Sequence, residues 1–253
     1  MINVKLQAHR GVSTEAPENT MSAFRLAVEQ GYEYIELDPA LTSDGKIAVL
    51  HDRTIDRTAR YKDGKELCES IAICDITYEK ALEYDYGLWF GKEFEGEKIP
   101  LLSEVFEYLA DKSITLKIDN KIWKFPEEKV LEIFSIAQKS GVRTGITCAT
   151  LDAVRKTVAH FVDAEIHYDG VVTDEVLEEL SAIVEKDRLV VWMPYKSHLT
   201  SWVTTAFADE EICRRIKKYA RLGIWILHEY ADAEISVNNY GADIIETTGS
   251  IKH

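Results

Sequence analysis

The sequence predicts an α/β fold of the (β/α)8 TIM-barrel type. Three observations lead there. The chain has 253 residues, close to the roughly 250 of a single eight-fold barrel. Eight short runs rich in apolar and β-branched residues recur along it, at 4–9, 32–38, 114–119, 143–148, 164–172, 189–193, 224–228 and 243–247. Helical patterns with readable ends lie between them, and strand–helix alternation repeated eight times favours a closed barrel over an open sheet. The competing doubly wound sheet lacks its signature, because no G-x-G-x-x-G turn follows the first run.

The elements follow in order. The strand runs are nearly all apolar, as expected of parallel strands buried on both faces. A helix over 20–30 carries Met21, Phe24, Leu26 and Val28 and stops at Gly31. After the second strand comes a short run at 47–50. An excursion over 53–100 follows, predicted to lie over one barrel end, with a helical stretch at 78–84 and an aromatic segment at 88–94. The helix at 127–140 begins after Pro126 and ends at Gly141. That at 175–186 takes Asp174 as its N-cap. That at 210–222 follows Asp209 and stops at Gly223. Six residues follow Thr247, so the eighth helix is missing or very short, and a helix from the excursion is expected to cover that part of the wall. No Gly/Ser-rich or Pro-rich linker divides the sequence, which predicts one domain over 1–253.

Charge narrows the function. Thirty basic against forty-four acidic side chains give a net charge of −14. A duplex-binding protein needs a surplus of Lys and Arg for the phosphates, so nucleic acid is not an expected partner, nor is stable association with an anionic membrane. An anionic substrate would need cations gathered locally against the mean field. The sequence opens without a secretory signal and holds no run of about 18 apolar residues. The spacing of Cys68, Cys74, Cys148 and Cys213 fits neither a zinc site nor a disulfide framework. Free thiols in a reducing cytoplasm are the expectation.

The strand ends carry the chemistry. His9 and Arg10 end the first strand, Glu36 and Asp38 the second, His51 and Asp52 the run at 47–50, and Asp119 and Lys121 the third. Residues at i and i+2 share one face of a strand. The carboxyl ends of barrel strands form the active-site face, so these side chains should converge. Phosphoryl transfer uses such a set. Three crowded carboxylates repel one another until a divalent cation relieves them, and oxygen-only ligands suit Mg2+ or Ca2+. Arg10 offers a planar fork and Lys121 a compact charge for phosphate oxygens. Two histidines can divide proton removal and proton delivery. Each residue alone would read as an ordinary strand-end residue; their repetition over successive strands makes the pattern informative.

These residues resemble a known family. AHRGVSTEAPENTMSAF at 8–24, GYEYIELDPALTSDGKIAVLHDRTIDRTA at 31–59 and GLWFGKEFEGEKIPLLSEVFEYL at 87–109 are similar to the glycerophosphodiester phosphodiesterase family. The likeness is detailed over about the first 120 residues and beyond them thins to the alternating architecture. It implies a barrel with 53–100 as the family's small insertion, and a cation held by Glu36, Asp38 and the residue ending the third strand, here Asp119. It implies His9 and His51 as the acid–base pair, Arg10 and Lys121 on the phosphate, and a small glycerophosphodiester as substrate, cleaved to glycerol 3-phosphate and an alcohol. Attack by the substrate's own glycerol hydroxyl would give a cyclic phosphate that water opens. His9 is expected as first base and His51 as proton donor, with Asn19 bracing the first loop.

Three positions depart from the family pattern. Asp119-Asn120-Lys121 stands where Glu-x-Lys is usual, and Asp is shorter by one methylene, about 1.5 Å. Trp225 fits the seventh strand, but Ile226, Leu227, His228 and Glu229 follow it. Thr247-Thr248 replaces a closing Thr-Asp. These changes predict an altered leaving-group preference, with His228 at the mouth and Trp225 either walling the glycerol carbons or packing in the core. A non-catalytic barrel that binds phosphodiesters and a cyclising lyase stay as alternatives. Trp89, Phe90 and Phe94 are expected to make a small core of the excursion, with Phe90 also a candidate pocket wall, and Trp192, Tyr195 and Trp202 to line or pack the sixth-strand loop. His160, His167, His198 and His253 show no usable partner pattern.

Overall fold

The computed structural model describes residues 4–195 and 207–252; Trp202, His198 and His253 lie outside them. Eight parallel strands close into a barrel. Strand β1 is Lys5–His9 and β2 is Tyr34–Leu37. Two short antiparallel strands, β3 (Pro39–Leu41) and β4 (Ile47–Val49), form a separate hairpin. The barrel continues through β5 (Thr115–Ile118), β6 (Arg143–Cys148), β7 (Glu165–Tyr168), β8 (Leu189–Pro194), β9 (Arg221–Leu227) and β10 (Ile244–Thr247), and β10 pairs back to β1.

Helices α1 (Met21–Glu29), α3 (Leu102–Leu109), α4 (Glu127–Ser140), α5 (Leu151–His160), α6 (Asp174–Ile183), α7 (Glu210–Tyr219) and α8 (Tyr230–Asn238) lie between successive barrel strands in the chain; α2 is the short Tyr78–Ala81. Outward strand residues such as Ile35, Leu37, Leu116 and Ile118 are fully buried with the helix faces in one core. Burying such an aliphatic side chain contributes about 1.5–3 kcal/mol. Thr20, Thr150, Thr173 and Asp209 each cap a helix by accepting from the backbone N–H three residues on.

Several expected boundaries move. Thr173, not Asp174, caps α6, because its hydroxyl reaches the Val176 amide. Helix α7 ends at Tyr219, and Gly223 sits inside β9, paired with Trp192 and Ile244. The glycine is there for close approach: a Cβ on it would lie 2.4 Å from the Trp192 ring. The excursion helix does not cover the open wall. Tyr78–Ala81 packs with the β3–β4 hairpin in a second core around Ile55, Ile73, Tyr84, Tyr86 and Ile99. The wall between β10 and β1 is closed by the tail instead. Ile251 is buried, Tyr32 Oη donates to its carbonyl at 2.8 Å, and the Thr14 amide donates to the Thr248 carbonyl at 3.0 Å.

The strands are not apolar on both faces. Their inward positions carry Gln7, Tyr34, Glu36, Lys117, Glu165, His167, Trp192, Arg221 and Glu246, in register from strand to strand. At the amino end of the barrel, Arg221 donates to Glu165 at 2.6 Å and to Tyr34 Oη at 3.1 Å. Above them Trp192 Nε1 donates to His167 Nδ1 at 2.9 Å. Lys117 Nζ lies 3.2 Å from Glu246 and 4.2 Å over the Trp192 ring.

Burial pushes Glu165 toward its neutral form, but His167 and Arg221 outweigh it and hold the carboxyl at about 2. Burial lowers His167 from its ordinary value, but with Nδ1 accepting from Trp192 its Nε2 proton still faces Glu165 at 3.2 Å, beside the fixed charge of Arg221. A depressed carboxyl stabilises the fold above its unfolded value of 4.5 and loses that contribution as pH falls toward 2. Arg221→Met should therefore cost about 3–5 kcal/mol at pH 7. It should also flatten the dependence of stability on pH between 4.5 and 2, measurable by denaturant titration across that range.

Candidate active site

The carboxyl ends of the strands open into a cavity of about 630 Å³, a size suited to a small ligand. His9, Arg10, Glu36, Asp38, His51, Asp119, Lys121 and Trp225 all line it. Every expected site residue except His228 is thus brought together. His228 is exposed and outside the lining, with Nδ1 3.3 Å from the Thr248 hydroxyl.

Backbone geometry sets the first loop. Arg10 has φ +61° and Gly11 φ +80°; the left-handed region is costly for a residue with a Cβ. The turn aims the Arg10 amide at Glu36 Oε2, 3.1 Å away. Gly11 is obligatory because a Cβ there would lie 2.6 Å from Ala23 Cβ. Asn19 clasps Asp38, donating from Nδ2 to Oδ2 at 2.9 Å and accepting from the Asp38 amide at 3.3 Å. It braces the second strand end as well as its own loop.

One oxygen from each of Glu36, Asp38 and Asp119 falls within 4.8 Å of the others. Glu36 and Asp38 are buried and Asp119 half-buried. Burial and the neighbouring Asp38 and Glu246 charges raise Glu36 well above the carboxylate range, and burial with Asp38 raises Asp119. Asp38 goes the other way: burial opposes its ionisation, but Lys121 and Arg10 hold it far below the usual range. Lys121 Nζ donates to Asp38 at 2.6 Å and to the His51 carbonyl at 2.7 Å, and Arg10 Nε lies 3.3 Å from Asp38. Three mutually repelling, oxygen-only ligands fit a hard divalent cation.

The two histidines differ. His9 Nε2 lies 3.9 Å from Glu36, and burial drives its pKa down to about 4. It is a neutral imidazole at pH 7, able to accept a proton. His51 Nδ1 pairs with Asp52 at 2.6 Å, which leaves Nε2 for a ligand. Arg57 holds Asp52 at 2.5 Å and Glu18 at 2.7 Å, and Glu18 accepts from Arg10 at 2.9 Å. A chain of charge thus runs around the rim from one loop to the other.

The model of the glycerophosphoryl diester phosphodiesterase family matches residues 9–144, more than half of the chain. The chain belongs to this family. A glycerophosphodiester phosphodiesterase of Caldanaerobacter subterraneus is 43% identical over 129 residues, and one of Bacillus altitudinis 40% over 133. These matches span 49% and 51% of this chain, and about half the length of each relative, 50% and 51%. Two solved structures share the fold. A glycerophosphoryl diester phosphodiesterase from Parabacteroides distasonis has a TM-score of 0.72 at 21% identity, over 97% of this chain and 82% of that one. A phosphodiesterase of Oleispira antarctica, in complex with the product sn-glycerol-3-phosphate, has a TM-score of 0.70 at 22% identity, over 97% and 93%.

Sequence reasoning missed part of the lining: Lys117, Asn120, Lys124, Thr147, Asp169 and Glu246; Trp192, expected to line or pack the sixth-strand loop, stands in the cavity wall. Strand alternation holds the signal for several of them. Lys117 precedes Asp119 by two and Glu246 follows Ile244 by two, so each faces inward. Phe90 is not in the lining; it packs edge-on against Trp89 and Phe94 within the excursion.

Proposed function

We propose that this protein hydrolyses glycerophosphodiesters to glycerol 3-phosphate and an alcohol. One observation carries the reading: His9 and His51, Arg10 and Lys121, and the trio Glu36, Asp38 and Asp119 meet in one cavity of a chain of this family. His9, neutral because it is buried, takes the proton of the substrate's glycerol hydroxyl as that oxygen attacks phosphorus. His51, aligned by Asp52, gives a proton to the departing alcohol. The resulting cyclic phosphate is opened by water with the roles exchanged: His51 takes the proton from water and His9 returns one to the ring oxygen. Arg10 and Lys121 bind the phosphate oxygens, leaving Asp38 to do so. Glu36, Asp38 and Asp119 would hold Mg2+ or Ca2+, which supplies positive charge to the phosphate oxygens.

The rim pair His228–Thr248 is proposed to set the leaving alcohol, and Trp225, in the cavity lining, to wall the glycerol carbons. Residues 53–100 are proposed as the family's insertion within a single domain over 1–253. No helix among the described residues is long and apolar enough to cross a membrane. The free cysteines support the cytoplasm as the proposed compartment.

Phosphorus NMR of the products from a panel of glycerophosphodiesters is the test. Glycerol 3-phosphate as end product is expected, with His228→Asn changing the order of preference across the panel. An accumulating cyclic phosphate would point to a lyase, and no turnover of any diester to a binding barrel.

A further inference from the structure

The rim holds a guanidinium that the proposed reaction does not use. Arg57 stands outside the cavity lining, yet all three of its nitrogens are engaged. Nε donates to Asp52 Oδ2 at 2.5 Å, and the two terminal nitrogens donate to the two oxygens of Glu18 at 2.7 and 3.0 Å. Both oxygens of Asp52 are taken up in turn, Oδ1 by His51 Nδ1 at 2.6 Å and Oδ2 by Arg57. Asp52 is thus a clip between the imidazole and the guanidinium.

The clip is anchored at both ends. Ile55 and Ala59, on either side of Arg57, are fully buried in the second core, and the Ala59 amide closes a turn onto the Ile55 carbonyl at 2.8 Å. At the other end Glu18 is half-buried and precedes Asn19, which clasps Asp38. Arg10 does not depend on Arg57, because it reaches Glu18 at 2.9 Å and Asp38 at 3.3 Å by itself. The ring of His51 does depend on it, through a carboxylate whose other oxygen Arg57 holds.

Exposure separates a structural role from an orienting one. The Arg57 side chain is 43% exposed and that of Asp52 29%, and ion pairs so open to water add little to stability. What the contacts fix is direction. A planar fork bound at three nitrogens cannot swivel, so Asp52 is kept from turning out to solvent and the His51 ring keeps one aim. A misplacement of about 1 Å can cost 10²-fold in rate.

We propose that Arg57 is a positioning residue: anchored on Glu18, it holds Asp52 so that His51 points its Nε2 at the leaving oxygen. The effect on rate rests on the phosphodiesterase reading, whereas the effect on the ring is read without turnover. Single-turnover release of the alcohol would be measured from two glycerophosphodiesters. One carries ethanol as leaving alcohol and the other p-nitrophenol, which departs without a proton. Arg57→Met should slow ethanol release by about 10²-fold and leave nitrophenol release and the thermal midpoint nearly unchanged. Combined with Asp52→Asn, it should slow ethanol release no further than Asp52→Asn alone, because it acts through that carboxylate. Nitrogen-15 spectra of histidine-labelled protein, taken where the ring is neutral, should show the His51 proton on Nδ1 in wild type and shared between both nitrogens in Arg57→Met. Equal losses on the two esters, no loss on the ethyl ester, a further loss in the double variant or an unchanged His51 spectrum would overturn the proposal. A wild type that shows the Nδ1 proton, and its redistribution in Arg57→Met, yet releases neither alcohol would overturn the enzymatic reading alone.

Discussion

Replacing His51 by alanine should slow diester turnover by roughly 10²–10⁴-fold, the usual worth of a positioned acid or base. His51 is half-exposed and bonds through Nδ1 only to its neighbour Asp52, so the thermal midpoint should barely move. His9→Ala should cost a similar factor in rate. It also removes a more deeply buried ring, so some stability should go with it. Steady-state rates paired with thermal melts separate the two effects. A double variant no slower than either single one would fit residues acting as a unit. Full activity in either single variant would remove the acid–base pair from the mechanism.

Chelation is the second large effect. Glu36, Asp38 and Asp119 are crowded enough for each to feel the next. Positive charge on a transferring phosphoryl group is worth several kcal/mol, and each 1.36 kcal/mol is tenfold in rate. Treatment with EDTA should therefore lower the rate by about 10³-fold, with recovery on adding Mg2+ or Ca2+. A cation that binds only the folded state also stabilises it, by about 2.7 kcal/mol at a hundred times its dissociation constant. A rise in melting temperature on adding the ion should accompany recovery. An EDTA-treated enzyme with an unchanged rate would sink the cation assignment, whatever became of the histidines.

Much of this was legible in the sequence because barrel strands are short and end in charge where the active face begins. His9, Glu36 and Asp119 could be placed by counting two residues at a time along a strand. The rim network was not legible. Glu18 and Arg57 meet across 39 positions of sequence, through loops that have no period to read. Lys117 and Glu246 hid for another reason. They stand in runs that look apolar, TLKI and IIET, and a charge in such a run reads as an interruption until the partner strand supplies its opposite. Gly223 looked like a helix stop because glycine serves both as a C-cap and as room for a neighbour's ring, and only the Trp192 contact tells them apart.

The closure between β10 and β1 has a practical consequence. Among the described residues no helix follows β10; the seam is sealed by Ile251, by the exchange of hydrogen bonds between Tyr230 Oη and Lys252, and by the ion pair of Lys252 with Glu15. Whatever polypeptide is joined after Lys252 begins at a residue already serving as a latch. An affinity handle or fusion partner fitted there would pull directly on the seal behind that stave of the cylinder.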